Sequence, residues 1–105
     1  MKQISIVFIT IDKEKSADKI INVLLKERLA ACVNKVKNIN SSYWWKGKIE
    51  KTKENLLIVK TKTFMVKKLV NRVKTLHPYT VPEIIAFEIK EGNEDYIKWV
   101  MEETQ

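Results

Sequence analysis

One stretch of this chain is too long for the elements around it. Residues 48–62 read as a single strand carrying Ile49, Leu56, Leu57, Ile58 and Val59, entered from a turn at Lys46-Gly47. At ~3.3 Å per residue such a strand reaches ~50 Å. The helix expected from Asp12 to about Ala30 rises only ~26 Å at ~1.5 Å per residue. The hairpin therefore overshoots any domain built on that helix, and its tip carries Tyr43, Trp44 and Trp45. Three large aromatics on a projecting hairpin form an exposed apolar patch beside an open strand edge, a liability unless something covers them. Self-association is the simplest cover, with Tyr43, Trp44 and Trp45 as the expected interface.

The remaining periodicities supply an architecture. Gln3 to Ile11 alternates as a strand, and both of its rows are largely apolar, so both sheet faces call for cover. Asp12 is placed to cap a helix whose stripe is Ala17, Ile20, Ile21, Leu24, Leu25 and Leu29. Residues 31–45 are strand-like. Thr63 is placed to cap a second helix with the stripe Met65, Val66, Leu69, Val70, Val73 and Leu76, stopped at His77 by Pro78. Ile84 to Ile89 reads as a fourth strand, and Asn93 caps a last helix with Glu94 and Asp95 in its first turn. The order is β-α-β-β-α-β plus a C-terminal helix. That is the split-βαβ order of an α+β, ferredoxin-like sandwich: one domain over residues 1–105, with a four-stranded antiparallel sheet, both internal helices on one face and a long protruding hairpin. Two helices cover only one face, a second reason to expect an oligomer.

Composition mainly excludes. One cysteine forbids an internal disulfide framework, and only two glycines forbid a phosphate loop or a dinucleotide fingerprint. The longest apolar run, Ile4 to Ile11, is far short of a bilayer span, and no small-residue cleavage site follows it. A cytoplasmic protein with no membrane partner is expected. The net charge of +7 comes almost wholly from lysines scattered along the chain, which argues against nucleic acid as a partner. Cys32 and His77 are the only thiol and imidazole. Cys32, inside Ala30-Ala31-Cys32-Val33, reads first as a small buried hydrophobe. His77 reads first as a helix-end residue satisfying carbonyls, and second as a metal ligand. With no Cys/His cluster, one protomer cannot build a dedicated zinc site, so a metal site must use carboxylates or combine subunits. No acid/base pair or activated nucleophile can be assembled, so no enzyme is expected.

Several segments together carry a resemblance. Glu27-Arg28-Leu29-Ala30-Ala31-Cys32-Val33-Asn34, Tyr43-Trp44-Trp45-Lys46-Gly47-Lys48-Ile49-Glu50, His77-Pro78-Tyr79 and Val81-Pro82-Glu83-Ile84-Ile85 resemble the CutA family of divalent-cation tolerance proteins. Leu57-Ile58-Val59-Lys60-Thr61 and the run from Gly92-Asn93 to Tyr96 and Trp99 extend the likeness over essentially the whole chain. The resemblance implies a ferredoxin-like protomer in a homotrimer similar to the PII signalling proteins, with hairpins paired between subunits. It also implies a part in the response to metal ions, copper above all. In the family, copper binding is associated with a thiol late in the first strand and a His-His pair before Pro-Tyr. Here Ile9 stands about where the thiol would be and Leu76 replaces the first His, leaving His77. The implied protein is a trimeric, non-enzymatic metal-tolerance factor that binds copper or zinc weakly through His77 and Glu83, with Cys32 a less favoured third donor. Lys60 and Tyr79 would line an intersubunit cleft. The competing reading is a PII-like signalling module that takes a small anion or a protein partner in that cleft.

Overall fold

The computed structural model describes residues 3–105. Strand β1 (Ile4–Ile11) is followed by helix α1 (Glu14–Lys26), strands β2 (Cys32–Trp45) and β3 (Lys48–Lys62), helix α2 (Val66–Leu76), strand β4 (Ile84–Glu88) and helix α3 (Glu94–Glu103). The sheet order is β2-β3-β1-β4, and β1–β3, β1–β4 and β2–β3 all pair antiparallel. This is the α+β, split-βαβ arrangement expected from the periodicities.

The register sorts the sheet into two faces. Directly paired residues share a face, so Val7, Ile9 and Ile11 of β1 line up with Val59, Leu57 and Asn55 of β3. These apolar residues are fully buried beneath Ala17, Ile20 and Leu24 of α1 and Leu69 and Val73 of α2, the single core of the domain. The opposite face carries Ile4, Ile6, Phe8 and Thr10 beside Lys62, Lys60, Ile58 and Leu56, with Ile85 and Phe87 on β4. Helix α3 packs against β3 and β1, and Tyr96 on α3 reaches Cys32, which lies opposite Lys60 on this second face. Beyond α3 the face is open. Val36, Ile85 and Phe87 are each about half exposed, and Phe8 meets Phe87 edge-on at 5.3 Å.

The hairpin is as long as the sequence predicted, and its turn explains how it closes. Lys46 and Gly47 both adopt positive φ, 51° and 80°, the combination that matches the right-handed strand twist in a two-residue loop. The radius of gyration, 14.2 Å, exceeds the ~13 Å of a compact chain of this length, and the molecule measures 44 × 26 × 22 Å. Midway, Val36 pairs with Leu56 but Ile39 pairs with Glu54, so β2 carries one extra residue there, with Asn38 at φ 60°. The bulge offsets the alternation by one residue, so the face of Cys32 passes to Tyr43 and Trp45 rather than to Trp44. Tyr43 and Trp45 fall opposite Glu50 and Lys48, in line with Glu54 on the second face, whereas Trp44 and Ile49 point to the helix side. Trp44 is 73% exposed.

Three boundary expectations are corrected. Asp12 does not cap α1: the cap position is Lys13, and the Asp12 carboxylate accepts only from the Lys13 N–H. The helix stops at Lys26 rather than near Ala30, because Arg28 turns left-handed at φ 54° and the Leu29 and Ala30 amides fold back to the Leu24 carbonyl. Thr63 does not cap α2 either. It opens a short 3-10 turn, Thr63–Met65, and its hydroxyl pairs with Ser5 instead. Asn93 caps α3 as expected, accepting from the Asp95 amide.

Candidate functional site

The predicted site residues fall into two groups on the second face and its edge. The first gathers at the C-terminal end of β1. Pro78 forces His77 out of helix into extended backbone, φ −79° and ψ 133°, which turns its ring inward. The Nε2–H donates to the Thr10 carbonyl at 2.8 Å, and Nδ1 accepts from the Tyr79 N–H at 3.2 Å. Those two partners fix a neutral ring with its proton on Nε2. The ring is buried, at 8% exposure, with Tyr79 edge-on at 4.6 Å. Tyr79 in turn donates its hydroxyl at 2.7 Å to Glu54, itself only 6% exposed. Burial first, and the Glu54 carboxylate second, hold the Tyr79 hydroxyl well above the ordinary tyrosine range. Thr10 closes the group: its carbonyl takes the His77 proton, while its hydroxyl donates to the Glu83 carboxylate at 3.4 Å. His77, Tyr79 and Glu83 are thus brought together.

Lys60 and Cys32 are not part of that group. Lys60 pairs with Ile6, four residues before Thr10, which is ~13 Å along the strand. Its ammonium donates to the Asn34 side-chain carbonyl and lies 3.9 Å from the Cys32 sulfur. Tyr96 lies close to Cys32, and burial, then the neighbouring thiol, push the Tyr96 hydroxyl above its ordinary range. Cys32 is half-buried rather than sealed in the core.

As a resident metal site for a single chain, these residues do not fit. Both ring nitrogens of His77 are already engaged, and among the described residues no three His, Cys, Asp or Glu side chains gather closely enough to hold an ion. Sequence reasoning missed Glu54, Thr10, Asn34 and Tyr96 as members of these groups. Strand alternation held a signal for Glu54, since it shares the parity of Leu56 and Ile58. The Thr10 carbonyl carried none.

The family model for the CutA1 divalent ion tolerance protein matches residues 5–103. The chain belongs to this family. It is 50% identical over 99 residues to the divalent-cation tolerance protein CutA of Thermus thermophilus, covering 94% of this chain and 96% of that one. It is 42% identical to human protein CutA over 102 residues, 97% of this chain and 57% of the human protein. Among solved structures, the divalent cation tolerance protein Cut A1 of Thermus thermophilus superposes with a TM-score of 0.94 at 49% identity, over 97% of this chain and 99% of that one. CutA1 of Oryza sativa gives 0.95 at 38% identity, over 99% and 95%. Membership of the CutA1 family carries divalent-cation tolerance as its description, and none of these relatives is named as an enzyme. Among the described residues no helix is long and apolar enough to cross a membrane.

Proposed function

We propose that this CutA1 family member acts in divalent-cation tolerance as a non-enzymatic cytoplasmic homotrimer that holds copper or zinc weakly, at donors completed only between subunits. The observation carrying this reading is the donor set around Thr10. One residue binds both His77 and Glu83, so an imidazole and an exposed carboxylate are brought to the same strand end, and among the described residues no group of three such donors forms. Two donors hold a divalent ion weakly, and ligation by His77 also costs one of its existing hydrogen bonds. A neighbouring subunit is the natural source of further donors. The open second face and the hairpin aromatics supply the apolar area for such an assembly. One unbridged cysteine favours a reducing compartment.

The test is calorimetric titration of Cu(II) and Zn(II) into the purified protein, with its mass followed by light scattering. Weak, saturable binding that falls in both His77→Ala and Glu83→Gln is expected. Glu83 is exposed, so its variant keeps the fold even if His77→Ala does not. Tight binding that survives both substitutions, or a stable monomer at micromolar concentration, would overturn the reading.

A further inference from the structure

Lysines scattered in the sequence gather in space on the helix layer. Helices α1 and α2 lie antiparallel on the sheet: His77, just past α2, reaches Thr10 near the start of α1, and Arg72 pairs with Glu27 at the close of α1. Their buried rows, Ala17, Ile20 and Leu24 on one and Leu69 and Val73 on the other, face the core. The helical period therefore turns Lys15, Lys19 and Lys26 of α1, and Lys67 and Lys74 of α2, away from the sheet. All five are exposed, and among the described residues none of them is in an ion pair. The carboxylates nearby are taken: Glu14 and Asp18 serve Lys35 on the flank of α1, and Glu27 serves Arg72. Helix α2 carries no carboxylate.

Phe64 ends this surface. It sits on the 3-10 turn that opens α2, three residues before Lys67, and its side is bare: it is 89% exposed, while its neighbour Met65 is buried. Beside the ring an open hollow of about 450 Å³ is lined by Met65, Lys67, Lys68 and Gln105. Lys67 and Lys68 stand in the first turn of α2, where the helix dipole disfavours cations. Folding gains nothing from that placement or from the bare ring. Side-chain chemistry separates the anionic partners for such a face. Phosphate forks of nucleic acid call for arginine, and Arg28 and Arg72 are both held in ion pairs. The buried centres of protein interfaces are poor in lysine. A lipid surface takes lysines at headgroup level and an apolar ring just below them.

We infer that the outer face of α1 and α2, with Lys15, Lys19, Lys26, Lys67 and Lys74 and with Phe64 at its edge, docks on the surface of an anionic phospholipid bilayer. The lysines lie over the headgroups, and the Phe64 ring enters the boundary with the acyl chains. This is contact with a surface and not a span. The face lies across the sheet from the one given to subunit packing, so the proposed trimer leaves it open.

The test is co-sedimentation with vesicles of phosphatidylcholine and phosphatidylserine, three parts to one, at low salt, with pure phosphatidylcholine vesicles as the neutral surface. Binding is expected to the phosphatidylserine vesicles alone, and it should fall as salt rises. Replacing Lys67 and Lys74 together with Gln should weaken it by about fivefold for each lysine, and Phe64→Ser by about tenfold at unchanged charge. Replacing Lys51 and Lys53 on the hairpin with Gln lowers the net charge by the same amount, and that pair should bind as the wild type does. All five positions are exposed, and circular dichroism and light scattering check that fold and mass are kept. Three results overturn the docking face: a wild type that ignores phosphatidylserine vesicles, a hairpin pair that costs as much binding as the helix pair, or a Phe64→Ser variant that binds unchanged. Duplex DNA that strips the protein from the vesicles at equal phosphate concentration would give the face to nucleic acid instead.

Discussion

Replacing Tyr79 with Phe tests the first group at its most exposed assumption. The substitution keeps the ring against His77 and removes one oxygen. Among the described residues that oxygen supplies the one side-chain hydrogen bond of Glu54, at 2.7 Å, to a carboxylate with only 6% of its surface exposed. A hydrogen bond to a charged group contributes roughly 1.5–3 kcal/mol, and a buried acceptor left without its donor loses about that much again at the upper end. We expect Tyr79→Phe to cost about 2–3 kcal/mol at neutral pH. Thermal unfolding by circular dichroism, at one fixed protomer concentration, reads this as a fall of roughly 8–20 °C if protomers unfold as single domains of this size. The pH dependence gives an independent check. The fold holds the Tyr79 hydroxyl protonated above the ordinary tyrosine value. A raised folded-state value is stabilising below about pH 10 and is progressively lost as pH rises beyond it. The gap between wild type and Tyr79→Phe should stay level to about pH 10 and narrow above. Tyr96 titrates in both proteins and cancels in the difference. A Tyr79→Phe protein within about 0.5 kcal/mol of wild type, the range of ordinary surface substitutions, would mean that Glu54 finds solvent or another donor and the group is not a unit.

Other expectations concern the hairpin and the thiol. The Trp44→Ala, Trp45→Ala double variant should lose the proposed trimer at micromolar concentration in light scattering, at about 3–5 kcal/mol for each ring that such an assembly fully buries; an unchanged mass and melting temperature would remove these rings from the proposed interface. Lys46→Asn should raise stability by up to about 1 kcal/mol in chemical denaturation, because Asn tolerates the positive φ that Lys46 is forced into and precedes Gly47 in the preferred turn pair; a loss would show that the Lys46 ammonium near the Trp45 ring matters more than the backbone. Cys32 should react with iodoacetamide slowly in the native assembly and quickly after denaturation, since only a single protomer leaves it half-buried; rapid native labelling would mean that this end of the second face stays open.

Much of the architecture was legible because it rests on period. The alternation of β1, the stripes of α1 and α2 and the stop at Pro78 each reflect a steric rule acting over a few residues. Boundaries failed where the backbone turned left-handed at a residue with no glycine to announce it. Arg28 ends α1 early, and Asn38 inserts the bulge that shifts the alternation by one, so that Tyr43 and Trp45 rather than Trp44 share the face of Cys32. The site was legible by residue type and not by grouping. His77, Tyr79 and Glu83 stand close in sequence, but a carbonyl and hydroxyl from Thr10, sixty-seven residues before His77, tie His77 to Glu83, and Glu54 on β3 holds the Tyr79 hydroxyl. Cys32 and Lys60 meet only because the register of β2 on β3 puts them opposite one another. Pairing of that kind has no local signature.

The bulge at Asn38 has a geometric consequence. Removing that one residue would leave Ile39 opposite Glu54 and every pair out to Trp45 and Lys48 as it is, so the chemistry of both hairpin faces would not change. What would change is the bend and added twist that an extra residue gives a strand. Direction and surface are therefore set separately in this arm. In a ring of subunits joined through such arms, the angle at which each arm leaves its domain decides whether the ring closes or grows open-ended. If the proposed homotrimer closes through these arms, an Asn38 deletion would keep the same surface and alter only its aim, turning a fixed stoichiometry into a choice between free protomers and fibres.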